Sequence, residues 1–243
     1  MLTGTFLDGV SQGDVSATPI NEASGLAASQ LSTNVLWTHN DAGDTNRIFA
    51  INGQGVFLGS FTLAGATNVD YEDIAIGKGP VPGTSYIYVG DIGDNAETRT
   101  NIKLYRTAEP VVSATGGDQS ATLTSVDIIT LNYPDGAHNA ETLLLDPLSG
   151  DLTIVTKHTT NVNRVYQAAA PGPGDQTINL EFKGVMSWAT ALGGDVSSSG
   201  LEILIKNTGT VYLGRCKVVI AGYFDRPVFV YALTSANAAC RCD

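Results

Sequence analysis

Short apolar runs, each closed by Gly, Asn, Asp or Pro, recur along most of the chain. Ser24–Ala28, Val35–Thr38, Arg47–Ile51 and Val56–Phe61 form a first group, the last two joined by an Asn52-Gly53-Gln54-Gly55 turn. Runs of this length between such turns predict strands, and four in succession predict one small antiparallel sheet. A second group follows: Asp73–Gly77, Tyr86–Val89, Ile102–Tyr105 and Val126–Leu131. A third comprises Glu141–Leu145, Leu152–Thr156 and Arg164–Tyr166, closed by Pro171-Gly172-Pro173-Gly174. A fourth begins near Asp195 and continues through Glu202–Lys206 and Thr210–Leu213. The Gly/Ser/Thr-rich stretch from Ser113 to Ser120 reads as a mobile surface loop.

The groups share more than hydropathy. Glu22 is followed 19 residues on by Asp41 and then by Gly43-Asp44; Glu72 is followed at the same distance by Asp91 and then by Gly93-Asp94. A third unit starts at Glu141 and carries Lys157-His158 where the others carry Asp-x-Gly-Asp. Asp195, about three residues out of register, opens the fourth. Four-stranded units repeating every roughly 50 residues predict an all-β fold, a β-propeller whose first strands surround a central channel. The expected domain is single, 1–243, with repeat units near 22–70, 71–140, 141–194 and 195–214.

Beyond 214 the pattern fails, leaving an atypical C-terminal segment at 215–243 and predicting a truncated or incompletely closed ring. Val218–Ile220 and Val228–Tyr231 remain strand-like, with Pro227 marking a break or an edge. Exposed sheet edges favour pairing with a second copy, so a homodimer or higher oligomer is expected. Cys216, Cys240 and Cys242 all lie in this region. Only Arg241 separates Cys240 from Cys242, which disfavours a bond between them, so Cys216 with either is the better pairing. The odd thiol is available to bridge two chains. A zinc site here lacks the usual Cys-x-x-Cys pairs.

Composition narrows the function classes. In 243 residues there are 27 Gly, and the formal charge is −11 with a pI near 4.5. Nucleic-acid binding needs a basic footprint, and none is present. No apolar stretch is long enough to span a bilayer, and the chain does not open on a charged-then-apolar leader, so no membrane association is expected. There is no Gly-x-Ser-x-Gly elbow, no phosphate-binding loop and no His-Glu-x-x-His pair. Ser24 and the two tryptophans, Trp37 and Trp188, read as packing residues.

Asn21-Glu22-Ala23-Ser24-Gly25, His39-Asn40-Asp41-Ala42-Gly43-Asp44, Gly90-Asp91-Ile92-Gly93-Asp94-Asn95, Asp135–Glu141 and Gly194-Asp195-Val196-Ser197 occur in this order. Together they resemble a group of bacterial, often exported, β-propeller proteins, most without an assigned activity. The resemblance covers about residues 20–214 and implies a secreted or periplasmic origin. A looser similarity is to calcium-dependent propeller hydrolases of the gluconolactonase, paraoxonase and organophosphate-hydrolase types. That similarity implies a calcium ion in the channel, with Glu22, Glu72 and Glu141 at suitable positions, Asp195 and Asp91 beside them, and Glu where those enzymes often use Asn.

Carboxylates gathered on one axis raise one another's pKa, so they need a cation. Calcium, a hard oxygen-seeking ion tolerant of irregular geometry, meets that need. Lys157 is the internal alternative, and pairing with Lys157, Arg47 and backbone amides would make the acids structural. The only three histidines, His39, His138 and His158, all flank the repeated motifs. In a hydrolase of small esters, lactones or phosphotriesters, His39 or His138 would take a proton from water, with Asp41 nearby and Lys157 as a further catalytic group. The competing expectation is a non-catalytic propeller that binds a ligand or a protein.

Overall fold

The structure, a computed structural model, describes residues 10–159, 162–215 and 229–233, the last five as backbone. Cys216, Cys240, Cys242 and Val218–Ile220 lie outside the described residues. Four separate sheets account for every strand among those described. The first blade is β1 (Ala23–Ala28), β2 (Val35–Asn40), β3 (Arg47–Asn52) and β4 (Phe57–Leu63), each antiparallel to the next. The second is β5 (Tyr71–Lys78), β6 (Ser85–Asp91), β7 (Ile102–Ala108) and, after a short strand β8 (Ala121–Leu123) that leaves for the first blade, β9 (Val126–Asn132). The third is β10 (Ala140–Leu145), β11 (Leu152–Thr156), β12 (Asn163–Ala168) and, past a strand β13 (Gln176–Asn179) that joins the second blade, β14 (Glu181–Met186). The fourth is β15 (Gly194–Val196), β16 (Glu202–Lys206), β17 (Val211–Arg215) and β18 (Phe229–Leu233). This is a four-blade β-propeller arrangement without helices among the described residues.

Blades are buried on both faces, and the alternation of side chains along each strand shares them between two cores. On β6, Ile87 and Val89 pack with Trp37, Ile48 and Leu58 of the first blade, while Tyr86 and Tyr88 turn to Leu143, Leu152 and Ile154 of the third. On β11, Leu152 and Ile154 face the second blade and Val155 faces Ile203 and Ile205 of the fourth. Every residue of β6 and of β11 is buried, which explains why these strands read as continuous apolar runs.

Two exchanges lock the blades in sequence. The connection from β7 to β9 sends β8 back to pair in parallel with β4, the outer strand of the preceding blade. The connection from β12 to β14 sends β13 back to β9 in the same way. The segment from Ser113 to Ser120, expected as a mobile loop, is tied down as part of the first exchange: Gln119 N donates to Leu58 O at 2.8 Å, and Ser60 N to Ser120 Oγ at 2.8 Å. Inner strands pack successively, β1 on β5, β5 on β10 and β10 on β15. Among the described residues no comparable packing joins β15 back to β1.

Candidate functional site

Each of the first three inner strands begins with a β-bulge. Pairing slips between Ala23 and Leu26 on β1, between Tyr71 and Asp73 on β5, and between Ala140 and Thr142 on β10. A bulge leaves its extra residue unpaired and re-aims it, and the extra residues here are Ser24 with Gly25, Glu72 and Glu141. The ladder register therefore revises the repeat. Ala23 pairs with Asn40 as Tyr71 pairs with Asp91 and Ala140 with Thr156. Glu22 thus stands where Asp70 and Asn139 stand, Ser24 stands where Glu72 and Glu141 stand, and Asn40 corresponds to Asp91. Hydrogen bonds agree: Asn40 Oδ1 accepts from Asn21 N and Glu22 N, as Asp91 Oδ1 accepts from Asp70 N at 3.0 Å.

The register gathers Asp41, Asp70 and Glu72. One carboxylate oxygen from each lies within 4.8 Å of the others. Asp41 stands just past the end of β2, Asp70 just before β5, and Glu72 in its bulge; Asn68 Nδ2 donates to Asp41 O at 3.0 Å and joins the two blades there. Gly93 lies over the cluster. A side chain at that position would overlap the Asp70 carboxylate and stand 2.6 Å from Glu72 Oε1. Burial, with Glu141, Asp41 and Asp70 as like-charged neighbours, pushes the Glu72 carboxyl up to about 9. Burial, followed by the charge of Asp41, pushes Asp70 up to about 6. Among the described residues no lysine or arginine forms an ion pair with any of the three. An all-oxygen set of this kind suits a hard cation.

The remaining acids divide between neighbours and staples. Glu141 is ion-paired with Lys157, and both are partly exposed. Glu22 and Asp195 are exposed, Asp195 accepting from Val196 N at 2.7 Å. Asp91 is fully buried, and its Oδ1 is held by Arg99 Nη1 at 2.9 Å. Asp73, which the sequence did not single out, is also buried and spans blades: its Oδ2 accepts from Leu143 N at 2.8 Å and its Oδ1 from Ile74 N at 2.9 Å. Burial outweighs those bonds and pushes it up to about 7. Glu109 closes the other end of the first interface, accepting from Trp37 Nε1 at 3.0 Å and Ser85 Oγ at 2.6 Å.

The histidines separate. His39 has no exposed surface; its Nε2 accepts from Gly25 N at 3.3 Å and its Nδ1 lies 2.9 Å from Asn40 O, where a proton on Nδ1 makes the bond. Burial lowers its pKa to about 4, so the ring is neutral and committed to the backbone. Gly25 is required there, because a β-carbon would stand 2.7 Å from both His39 Nε2 and Ile74 N. His138 stacks on Tyr166 and His158 approaches it, in a cluster apart from the three carboxylates.

No protein-family model matches the chain, and no curated protein matches it. Solved structures similar to it are propellers or come from larger assemblies. A chain of the nidogen/laminin complex aligns over 83% of this chain and 62% of its own length, with 17% identity and a TM-score of 0.46. The Dos1 propeller aligns over 81% and 45%, with 11% identity and a TM-score of 0.42. A structure described as "a putative 6-phosphogluconolactonase from Bacteroides uniformis" aligns over 90% and 88%, with 11% identity and a TM-score of 0.43. The chain thus spans less than two thirds of the first two. None of these likenesses bears on activity.

Proposed function

We propose that this propeller is a cation-dependent hydrolase of small esters, lactones or phosphotriesters, with calcium held by Asp41, Asp70 and Glu72. The observation that supports this reading is the convergence of three carboxylates on one point, with no ion-paired lysine or arginine among the described residues. Two of them have pKa values raised first by burial and then by neighbouring carboxylates, and a divalent ion would relieve that cost. Calcium when bound would polarise a carbonyl or phosphoryl oxygen of the substrate. Glu141 stands next to Glu72 and takes the proton from the attacking water. Lys157, paired with Glu141, offers a positive charge to the oxyanion that develops. His39 is outside this scheme, since both its nitrogens serve the backbone.

One observation favours a non-catalytic ligand-binding propeller instead: buried Asp73 and Glu109 hold one blade to the next, so this fold spends buried acids on structure. Turnover of aryl esters, lactones and a phosphotriester, before and after chelation and with calcium restored, separates the two. The hydrolase reading expects activity lost with chelator, regained with calcium, and reduced at least about a hundredfold in Glu72→Gln. Silence across the panel, or turnover that ignores both chelator and Glu72→Gln, would sink it.

A further inference from the structure

A second cluster lies apart from the carboxylates, and its donors are of a different kind. Glu97, from the loop after β6, His138, from just before β10, and His158, from just after β11, each present one ligand atom within 4.8 Å of the other two. The geometry points to a site for a transition-metal dication, zinc in the first instance, built by these three residues and independent of any cation at Asp41, Asp70 and Glu72. Two imidazoles and one carboxylate are the donors such ions prefer, and three protein ligands leave one position open to water or a ligand.

Three further features separate this cluster from a chance grouping of polar side chains. His138 is buried and already oriented as a ligand. Its Nε2 lies 3.1 Å from Asp135 Oδ1 and 2.8 Å from the Tyr166 hydroxyl, so the proton sits on Nε2 and the Nδ1 lone pair has no hydrogen-bond partner among the described residues. A metal-binding histidine characteristically gives its other N–H to a carboxylate, which fixes tautomer and ring plane. Asp135 is in turn clamped: Arg164 Nη1 donates to its Oδ2 at 2.8 Å, and the Tyr166 hydroxyl donates to the same carboxylate. The supporting shell therefore fixes the ring through Nε2 and leaves Nδ1 as the nitrogen open to a metal.

His158 makes the complementary case. Its Nε2 is buried without any hydrogen bond, and its Nδ1 stands 3.9 Å from Glu97 Oε1, too far for one. A buried ring nitrogen without a partner is costly unless something else engages it. Tyr133, edge-on to His138, and Tyr166, stacked on it, wall the cluster on the protein side. Glu97 is exposed and supplies the negative charge from the solvent side.

Cobalt(II) titration of the full chain, stripped of metal and with calcium then present in excess, tests this. The expected result is one equivalent bound, the intense visible absorption of a low-coordinate cobalt centre, and displacement by zinc. Glu97→Gln, at an exposed position where folding is not at stake, and His158→Gln should each weaken binding at least about tenfold. Glu72→Gln should leave the bands unchanged, even though it abolishes turnover on the hydrolase reading. Absence of the bands would overturn the assignment. So would bands unaffected by Glu97→Gln and His158→Gln, bands lost in Glu72→Gln, or a near-ultraviolet thiolate transition that moves the metal to the cysteines.

Discussion

A β-carbon at Gly93 would overlap Asp70 Oδ2 and stand 2.6 Å from Glu72 Oε1. Both are the mobile ends of side chains, so the backbone need not move to admit a methyl group; the carboxylates must part instead. Gly93→Ala is therefore expected to lower calcium affinity at least about tenfold while changing unfolding free energy by less than about 1 kcal/mol. Paired calcium calorimetry and denaturant titration would show it, and equal losses in both would mean that the cluster is only a structural element. At this scale the sequence was legible in part. Asp41 and Glu72 stand out by their spacing, and both enter the cluster. Glu22 does not, because matching acid to acid along the chain aligned it with Glu72, whereas the bulge and the Asn40/Asp91 correspondence align it with Asp70. The signal for Asp70 was present as three acids within Asp70-Tyr71-Glu72-Asp73, yet only the ladder register assigns a role to each.

The blades are joined by elements the hydropathy pattern does not reveal. β8 and β13 are short, largely exposed strands that pair in parallel with the preceding blade, and neither carries an apolar run. What holds the second exchange is a buried cation. Arg106 has no exposed surface; it donates to Asp127 Oδ2 from Nε at 3.0 Å and from Nη2 at 2.6 Å. It also donates to Pro171 O at 2.9 Å and Gly172 O at 2.6 Å, fixing the turn that leads into β13. Arg106→Ala removes both bonds to Asp127 Oδ2, strands two carbonyls and leaves a cavity beneath Tyr86 and Tyr88. A loss of about 3 kcal/mol in unfolding free energy is expected, at the lower end for a buried pair because Asp127 keeps contact with solvent. Hydrogen exchange should also quicken at β13 and β9 before the inner strands. Uniform exchange across the blade would show that the arginine does not anchor the exchanged strand.

Across the molecule the acidity has two uses. Asp73 and Glu109 accept hydrogen bonds from a neighbouring blade and hold blade to blade, while Asp91 is held by Arg99 within its own blade. Asp41, Asp70 and Glu72 face one another without a paired cation among the described residues, where the end of β2 meets the start of β5. The four-blade architecture follows from strands whose alternate side chains serve two cores, which is why it could be read from the chain. The division of the acids could not, since both kinds are Asp and Glu and Asp73 directly follows Glu72.

A cation held by Asp41, Asp70 and Glu72 would make itself measurable through protons. With Glu72 near 9 and Asp70 near 6, the metal-free protein carries a proton on Glu72 at pH 7.5, and a bound divalent ion must displace it. Calcium affinity should accordingly rise as pH climbs from 6 towards 9. The decisive measurement is calcium titration calorimetry at pH 7.5 in buffers of differing ionisation enthalpy. The structure predicts one site, release of about one proton per ion, and loss of both in Glu72→Gln. Absence of a binding heat, or binding that releases no proton and survives Glu72→Gln, would contradict it.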